Sequence, residues 1–358
     1  MAYPAYVAYL RKLFMKQDIR KFSEAQLIAE FEKFSEPKFR AKQVHEWLWK
    51  KSARSFEEMT NLSKDLRTKL AEQFAFYSVT ENIVQKSSDG TVKLGMKLHD
   101  DRLVEGVMIP DDERNTACVS SQVGCTLSCT FCATGFLKRE RNLEAGEIYD
   151  QVVLLNKHAL EHSGRPLTNI VYMGMGEPLL NYDNVMQSIR YITSPEGLNM
   201  AQKRITVSTS GVVRNIRRMA DEGMKFNLAL SLHAPTNEKR NKIMDINQSN
   251  PLEEVMDALN YFYEKTGNKI TFEYILFDKF NDSIEDADHL FYLADRVPSF
   301  INIIEYNNVE GVELKKAKRE NRDAFVAYLR DKGVSVAIRR SRGKDIDAAC
   351  GQLANKNG

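Results

Sequence analysis

The chain has 358 residues, 43% of them hydrophobic and 28% charged, with a formal net charge of +2. That balance argues against a disordered, fibrous or membrane-spanning protein and suits one large globular domain, or a large and a small one. A core of this size needs no disulfide framework, so five cysteines, three of them crowded together, point to ligation or catalysis in a reducing compartment. The opening MAYPAYVAYLRKLFMKQD lacks a long apolar core and a small-residue cleavage pattern, and no apolar run is long enough to span a bilayer; a cytoplasmic location with no membrane partner is expected.

In chain order, residues 1–85 are expected to form a small helical accessory domain. In EPKFRAKQVHEWLWKK, Pro37 stands near a helix start and Ala41, Val44 and Leu48 share one face. TNLSKDLRTKLAEQF begins with an Asn or Ser cap and continues at helical spacing. Trp47, Trp49, Phe39 and Phe56 are expected to pack into a small core here. Residues 31–70 hold ten Lys or Arg against six Asp or Glu, and residues 313–345 hold eleven against five. Basic excess of this kind is the footprint of a polyanion partner, although on charge alone ordinary solvated helix faces are the better explanation.

Residues 86–114, with SSDGTVKLGMKLHDDRLVEGVMIP, read as a β-hairpin extension and linker. From 115 to 345, short β-rich runs begin at Ala117, Thr168, Arg204, Phe226, Lys269, Phe300 and Val334. Helical stretches such as LEAGEIYDQVVLLNKHAL and SIEDADHLFYLADRV alternate with them. This rhythm predicts an α/β fold of βαβ units, with a parallel sheet curved into a full or partial barrel and chemistry at the carboxyl ends of its strands. Residues 346–358 are a polar tail with no core-like spacing.

CTLSCTFC places Cys125, Cys129 and Cys132 on the loop after the first β-run. Thiolates of this kind favour zinc or an iron–sulfur cluster. Zinc needs a fourth ligand, which only the distant Cys118 or Cys350 offers; the alternative is a four-iron cluster with one iron left open. An open iron chelates the amino and carboxylate groups of S-adenosylmethionine and passes an electron to its sulfonium, releasing a 5′-deoxyadenosyl radical. The spacing, and Phe131 before the last cysteine, resemble the signature of radical S-adenosylmethionine enzymes. GMGEP, with Gly176 and Glu177, resembles the turn that binds the ligand's amino group in those enzymes. Ser208 in ITVSTSG, Ser231, Leu232 and His233 in LALSLHAP, and Asn307 in NIIEYNN stand at later strand ends as further candidate cofactor contacts. Cys350 lies on the tail, where a mobile thiol acts as a nucleophile or carrier, and Cys118 lies seven residues before Cys125.

CVSSQVGCTLSCTFCATG, MGMGEPLLN, SLHAP and GKDIDAACGQL together resemble the RlmN family, whose members methylate carbon 2 of an adenine in 23S ribosomal RNA and in transfer RNA. The related Cfr family, which methylates carbon 8, shares the cysteines but is less similar in wording. One departure is Arg214 in GVVRNI, where the family carries proline. The resemblance implies a partial (β/α)6-type radical SAM barrel with a helical accessory domain that contacts RNA. It also implies a [4Fe-4S] cluster on Cys125, Cys129 and Cys132, and two uses of S-adenosylmethionine. One methylates Cys350; the other yields the radical that removes hydrogen from that methyl group, and the methylene adds to carbon 2 of the base. Cys118 is implied to release the product by forming a disulfide with Cys350. Either Cys118 or Glu105, which matches the family's proton acceptor, takes the ring proton. A flavodoxin or ferredoxin-type electron donor and a monomeric state are also expected.

Overall fold

The computed structural model describes residues 16–355; residues 1–15 of the expected helical domain and 356–358 of the tail lie outside the described residues. Three helices open the fold: α1 (Glu24–Lys33), α2 (Lys38–Trp49) and α3 (Lys64–Gln73). Ser23 and Gln26 close a reciprocal capping box on α1, and the Ser63 hydroxyl accepts from the Leu66 amide at the start of α3. Ala41, Val44 and Leu48 form the buried stripe of α2 as their spacing predicts. Trp49 and Phe56 join this core, but Phe39 is 55% exposed and carries the Arg40 guanidinium over its ring. It precedes Ala41 by two residues, roughly 200° around the helix, and so cannot share the stripe. Trp47 is half-buried, with the Lys51 ammonium 4.1 Å from its ring centroid.

Strands β1 (Thr80–Lys86), β2 (Val92–Lys97) and β3 (Leu103–Pro110) form an antiparallel meander. The helix-to-hairpin boundary expected at residues 85/86 therefore falls inside a strand. TENIVQK alternates exposed and half-buried side chains, a period of two that suits a strand and not a helix. Nor is the meander a detached linker. β3 pairs antiparallel with β4 (Asn115–Cys118), setting Val107 opposite Cys118.

After β4 come two short strands, β5 (Gln122–Val123) and β6 (Arg141–Asn142), then α4 (Ala145–Ser163) and β7 (Asn169–Tyr172). The pattern repeats through α5 (Tyr182–Thr193), β8 (Ile205–Thr209), α6 (Val213–Asp221) and β9 (Asn227–Ser231). It continues with α7 (Asn237–Ile243), α8 (Leu252–Thr266), β10 (Ile270–Leu276), α9 (Ile284–Asp295), β11 (Ser299–Glu305), α10 (Arg319–Asp331) and β12 (Val336–Arg339). The large sheet has ten strands in the order β1-β2-β3-β4-β7-β8-β9-β10-β11-β12, and every pairing from β4 onward is parallel. This is an open (β/α)6 unit followed by a last strand at one edge, with the meander extending the other. Apolar runs buried on both faces, such as LALS and ITFEYIL, are what a parallel strand covered by helices requires.

The helical domain docks firmly. Trp49 stacks on Tyr191 of α5 at 3.5 Å and meets Tyr149 of α4 edge-on. Arg20, fully buried, bridges Asp18 (3.2 Å) and Asp150 of α4 (2.8 Å) and donates to the Tyr77 and Gly146 carbonyls. Burial alone would lower its pKa, but Asp150 and Asp18 hold it up. Among the described residues, no helix is long and apolar enough to cross a membrane.

Candidate active site

The β5–β6 ladder pairs Gln122 with Asn142 and Val123 with Arg141, closing the base of a loop that carries Cys125, Cys129 and Cys132. The loop is held from within: the Cys132 amide donates to the Cys129 carbonyl and the Gly135 amide to the Cys132 carbonyl. Phe131 anchors it in a second apolar cluster with Ala234, Met244, Ile275 and Phe277. All three thiols line one cavity of about 140 Å³ at the carboxyl ends of the strands. Burial raises the pKa of each, to about 11 for Cys125. The three thiols face one cavity without all lying within 4.8 Å of one another, farther apart than the ligands of a single zinc ion, whereas a four-iron cluster spans that separation. The set fits a three-thiolate iron–sulfur cluster with an open position better than a closed four-ligand zinc site.

Several sequence candidates meet in this cavity. Gly176, at φ +93°, turns the chain so closely over Gln122 that an added Cβ would lie 2.5 Å from the Gln122 side chain and 2.9 Å from its amide nitrogen. Only glycine fits. The fully buried Glu177 is raised in pKa by burial, while its carboxylate accepts from the Ser210 amide at 2.8 Å and the Leu179 amide at 3.0 Å. Ser208 and Ser231, on neighbouring strands, stand with hydroxyls 3.2 Å apart. His233 packs edge-on to Phe131 and its Nδ1 accepts from the Ile275 amide. Burial, helped by Arg240, holds its pKa at about 3, so it is a neutral imidazole that fixes the loop's aromatic anchor.

Two candidates are not brought to the cavity wall. The Leu232 side chain is fully buried in the core, and its amide donates to the Glu273 carbonyl. Asn307, just beyond β11, donates to the Cys350 carbonyl at 3.4 Å and so holds the tail.

A second, larger cavity of about 500 Å³ lies alongside, running into the lumen of the open barrel. Cys118 lines it, and Cys350 lies in the wall that the two cavities share. Burial pushes the Cys118 thiol up to about 12. All five cysteines are free thiols. The tail is not the loose arm its composition suggests. The Gly351 carbonyl accepts from Ala133, the Thr134 hydroxyl donates to the Leu353 carbonyl, and Ala348, Ala349 and Leu353 are buried. Glu105 belongs to this fastening. Its carboxylate is buried, pairs with Lys93 at 3.3 Å and accepts the Ala354 and Asn355 amides at 2.8 and 3.2 Å. It lines neither of the two cavities.

Three polar residues here escaped the sequence reading. Arg240 of α7 is fully buried under the cluster cavity and donates to the Ser210, Ser231 and Leu232 carbonyls. Glu273 of β10 and Arg339 of β12 line both cavities, 3.8 Å apart. The lone acidic residue inside the apolar ITFEYILF is the one signal that marked any of them.

Residues 119–291 match the family profile described as "Radical SAM superfamily", and residues 17–75 match "Ribosomal RNA large subunit methyltransferase N-terminal domain". A "Probable dual-specificity RNA methyltransferase RlmN" of Cytophaga hutchinsonii is 55% identical, the alignment covering 95% of this chain and 93% of that one. A protein of the same name from Flavobacterium psychrophilum is 52% identical over 95% of this chain and 98% of its own. The crystal structure of a radical SAM methyltransferase from Sphaerobacter thermophilus superimposes with a TM-score of 0.89 at 38% identity, covering 94% of this chain and 99% of that one. These likenesses run over nearly the whole length of this chain and of its relatives, and the chain belongs to the RlmN family of radical SAM methyltransferases.

Proposed function

We propose that the protein methylates carbon 2 of an adenosine in 23S ribosomal RNA and in transfer RNA, using Cys350 as the methyl carrier. One observation supports this above the others: Cys350 lies in the wall common to the cavity of the three cluster thiols and the cavity lined by Cys118. A carrier must be reached from both sides, and this position offers that.

Cys125, Cys129 and Cys132 would hold the cluster, and Gly176, Glu177, Ser208 and Ser231 would seat S-adenosylmethionine against it. When bound, the two supply a methyl group and a carbon-centred radical able to remove hydrogen from a methyl thioether. The chain's residues do the remainder. The Cys350 sulfur takes up the methyl group by displacement and later presents it to the base in the larger cavity. Its backbone is pinned by Asn307 and by the Gly351–Ala133 hydrogen bond, so the sulfur is presented from a fixed position. Cys118 would release the product as its sulfur bonds to that of Cys350. The carbon–sulfur bond to the base breaks, the carbon keeps the electron pair and is protonated to the methyl group, and an external reductant returns the resulting disulfide to two thiols. Burial keeps Cys118 protonated until then, which leaves it unreactive while the methyl group is loaded. Glu105, engaged with Lys93 and the tail amides, would take the ring proton only after the tail shifts.

The positively charged stretches of the helical domain and of residues 339–344 would contact RNA phosphates. The same reading places the enzyme in the cytoplasm with a flavodoxin or ferredoxin-type donor. The test is mass spectrometry of adenosines from RNA incubated anaerobically with reconstituted enzyme, reductant and methyl-labelled S-adenosylmethionine. Labelled 2-methyladenosine is expected from the wild type and none from Cys350→Ala. A product of 8-methyladenosine would overturn the carbon-2 assignment, and label transfer by Cys350→Ala would overturn the carrier.

A further inference from the structure

The lumen of this barrel is polar where such interiors are usually filled by branched apolar side chains. Thr116, Asn169, Thr206, Thr271 and Asn302, from five strands, all face the larger cavity. At its boundary with the cluster cavity stands Glu273, 5% exposed. The Asn302 amide donates to Oε1 at 2.9 Å. Oε2 is buried and accepts no hydrogen bond; the nearest cation, Arg339, is 3.8 Å away, beyond bonding range. A buried carboxylate oxygen left without a donor is costly, and a fold keeps such a group where a ligand completes it. Burial also pushes the Glu273 pKa up, against the pull of Arg339 and Asn302.

Resting on the reading of the protein as an adenine methyltransferase, we propose that Glu273, oriented by Asn302, accepts a hydrogen bond from the exocyclic amino group of the substrate adenine and so selects the base. The cavity, about 500 Å³, lies within the roughly 300–1,000 Å³ range of small-molecule sites. Carbon 2 and the amino-bearing carbon flank the same ring nitrogen, so a base held by its amino group at Glu273 can turn carbon 2 toward Cys350 in the same wall. The cofactor's own seat is furnished separately by Glu177, Ser208 and Ser231, whereas Asn302 and the lumen threonines line only the larger cavity. Guanine presents a carbonyl oxygen where adenine presents N–H, and a carboxylate repels it.

The test uses reconstituted full-length holoenzyme and synthetic target hairpins carrying adenine, or purine without the amino group, at the reactive position. Hairpin affinity is read by fluorescence anisotropy and methyl transfer by single turnover. The wild type should disfavour the purine hairpin by about a hundredfold in rate and affinity combined. In Glu273→Leu that ratio should fall to within about threefold, with cluster absorbance and cleavage of S-adenosylmethionine intact. Glu273→Gln keeps shape and an acceptor but loses the charge-assisted bond, so it should lie between; this variant decides the matter if the leucine protein does not load its cluster. Equal use of both hairpins by the wild type, or undiminished discrimination in Glu273→Gln, overturns the proposal. So does loss of S-adenosylmethionine cleavage with base preference unchanged. A wild type that cleaves S-adenosylmethionine yet methylates neither hairpin brings down the adenine reading itself, a failure distinguishable from the others.

Discussion

The helical domain near the start of the chain and the tail at its end both pack onto the barrel, and they do so by different physics. The first is fixed through a buried aromatic stack, Trp49 on Tyr191, and a buried ion network in which Arg20 serves Asp18 and Asp150. The second is fixed by hydrogen bonds that mostly run to backbone atoms, through Glu105, Thr134, Asn307 and Asp89, and buries only small apolar side chains apart from Leu353. Desolvated contacts break together and at high cost; hydrogen bonds worth about 1 kcal/mol each can be released a few at a time. The helical domain is therefore a permanent part of the body, and the tail is a carrier arm that is accurately placed yet able to move.

The largest effect should come from breaking the buried ion network. Arg20→Met leaves Asp18 and Asp150 without their cation, which should cost about 3–5 kcal/mol. Chemical unfolding followed by tryptophan fluorescence reads this, because Trp49 lies in the same interface. A loss under 1 kcal/mol would mean that the domain is held by something other than the network. Trp49→Ala should come next, at about 3 kcal/mol, from the cavity left against Tyr191 and Tyr149. Both variants should leave the tail's hydrogen-exchange protection unchanged once the protein is folded.

Glu105→Gln should behave in the opposite manner. It keeps an acceptor for the two tail amides, and the buried Lys93 still donates to the Asp347 carbonyl, so global stability should fall by about 1–2 kcal/mol, less than for Arg20→Met. Exchange at residues 348–355 should meanwhile quicken by roughly tenfold, the factor that 1.4 kcal/mol commands. If residues 348–355 of the wild type exchange only with the free energy of global unfolding, the tail is part of the cooperative core and the contrast between domain and tail fails.

Much of this contrast was hidden in the sequence, and the reason is geometric. Parallel strands advertise themselves as short apolar runs, so expected starts at Thr168, Arg204 and Phe226 lie one residue from the observed Asn169, Ile205 and Asn227. Motif residues whose spacing is local, Cys125 to Cys132 and Gly176 with Glu177, were legible for the same reason and meet in one cavity. Residues whose roles depend on register were not. Glu105 reaches Lys93 because Gly95 stands opposite Glu105 across the β2–β3 pair, which puts Lys93 on the same face. Arg240, in NEKRNKI, looks like an exposed helical charge until the strand ends it caps are in place. The tail's polarity suggested mobility, and only the folded partner surface shows where each of its hydrogen bonds goes.

The smallest expected effect is an absence of one. Asp89 anchors the start of the tail by accepting the Gly343 amide at 2.9 Å, and it also accepts the Thr91 amide. Partial burial would raise its pKa, but these hydrogen bonds hold it at about 2. A carboxyl whose folded pKa is depressed contributes its stabilisation above its unfolded value, about 3.9, and loses it as pH falls through the folded value. The contact is thus fully present through the neutral range and weakens only between about pH 4 and pH 2. Limited proteolysis of the tail, corrected for protease activity, should be flat from about pH 8 to pH 5 and quicken only below about pH 4. Asp89→Asn should remove that acid step while leaving the neutral rate within about threefold of wild type, since the amide oxygen still accepts from Gly343. A tail that loosens between pH 8 and pH 5 would show that a different titrating group governs the arm, and Asp89 would lose its place as the anchor.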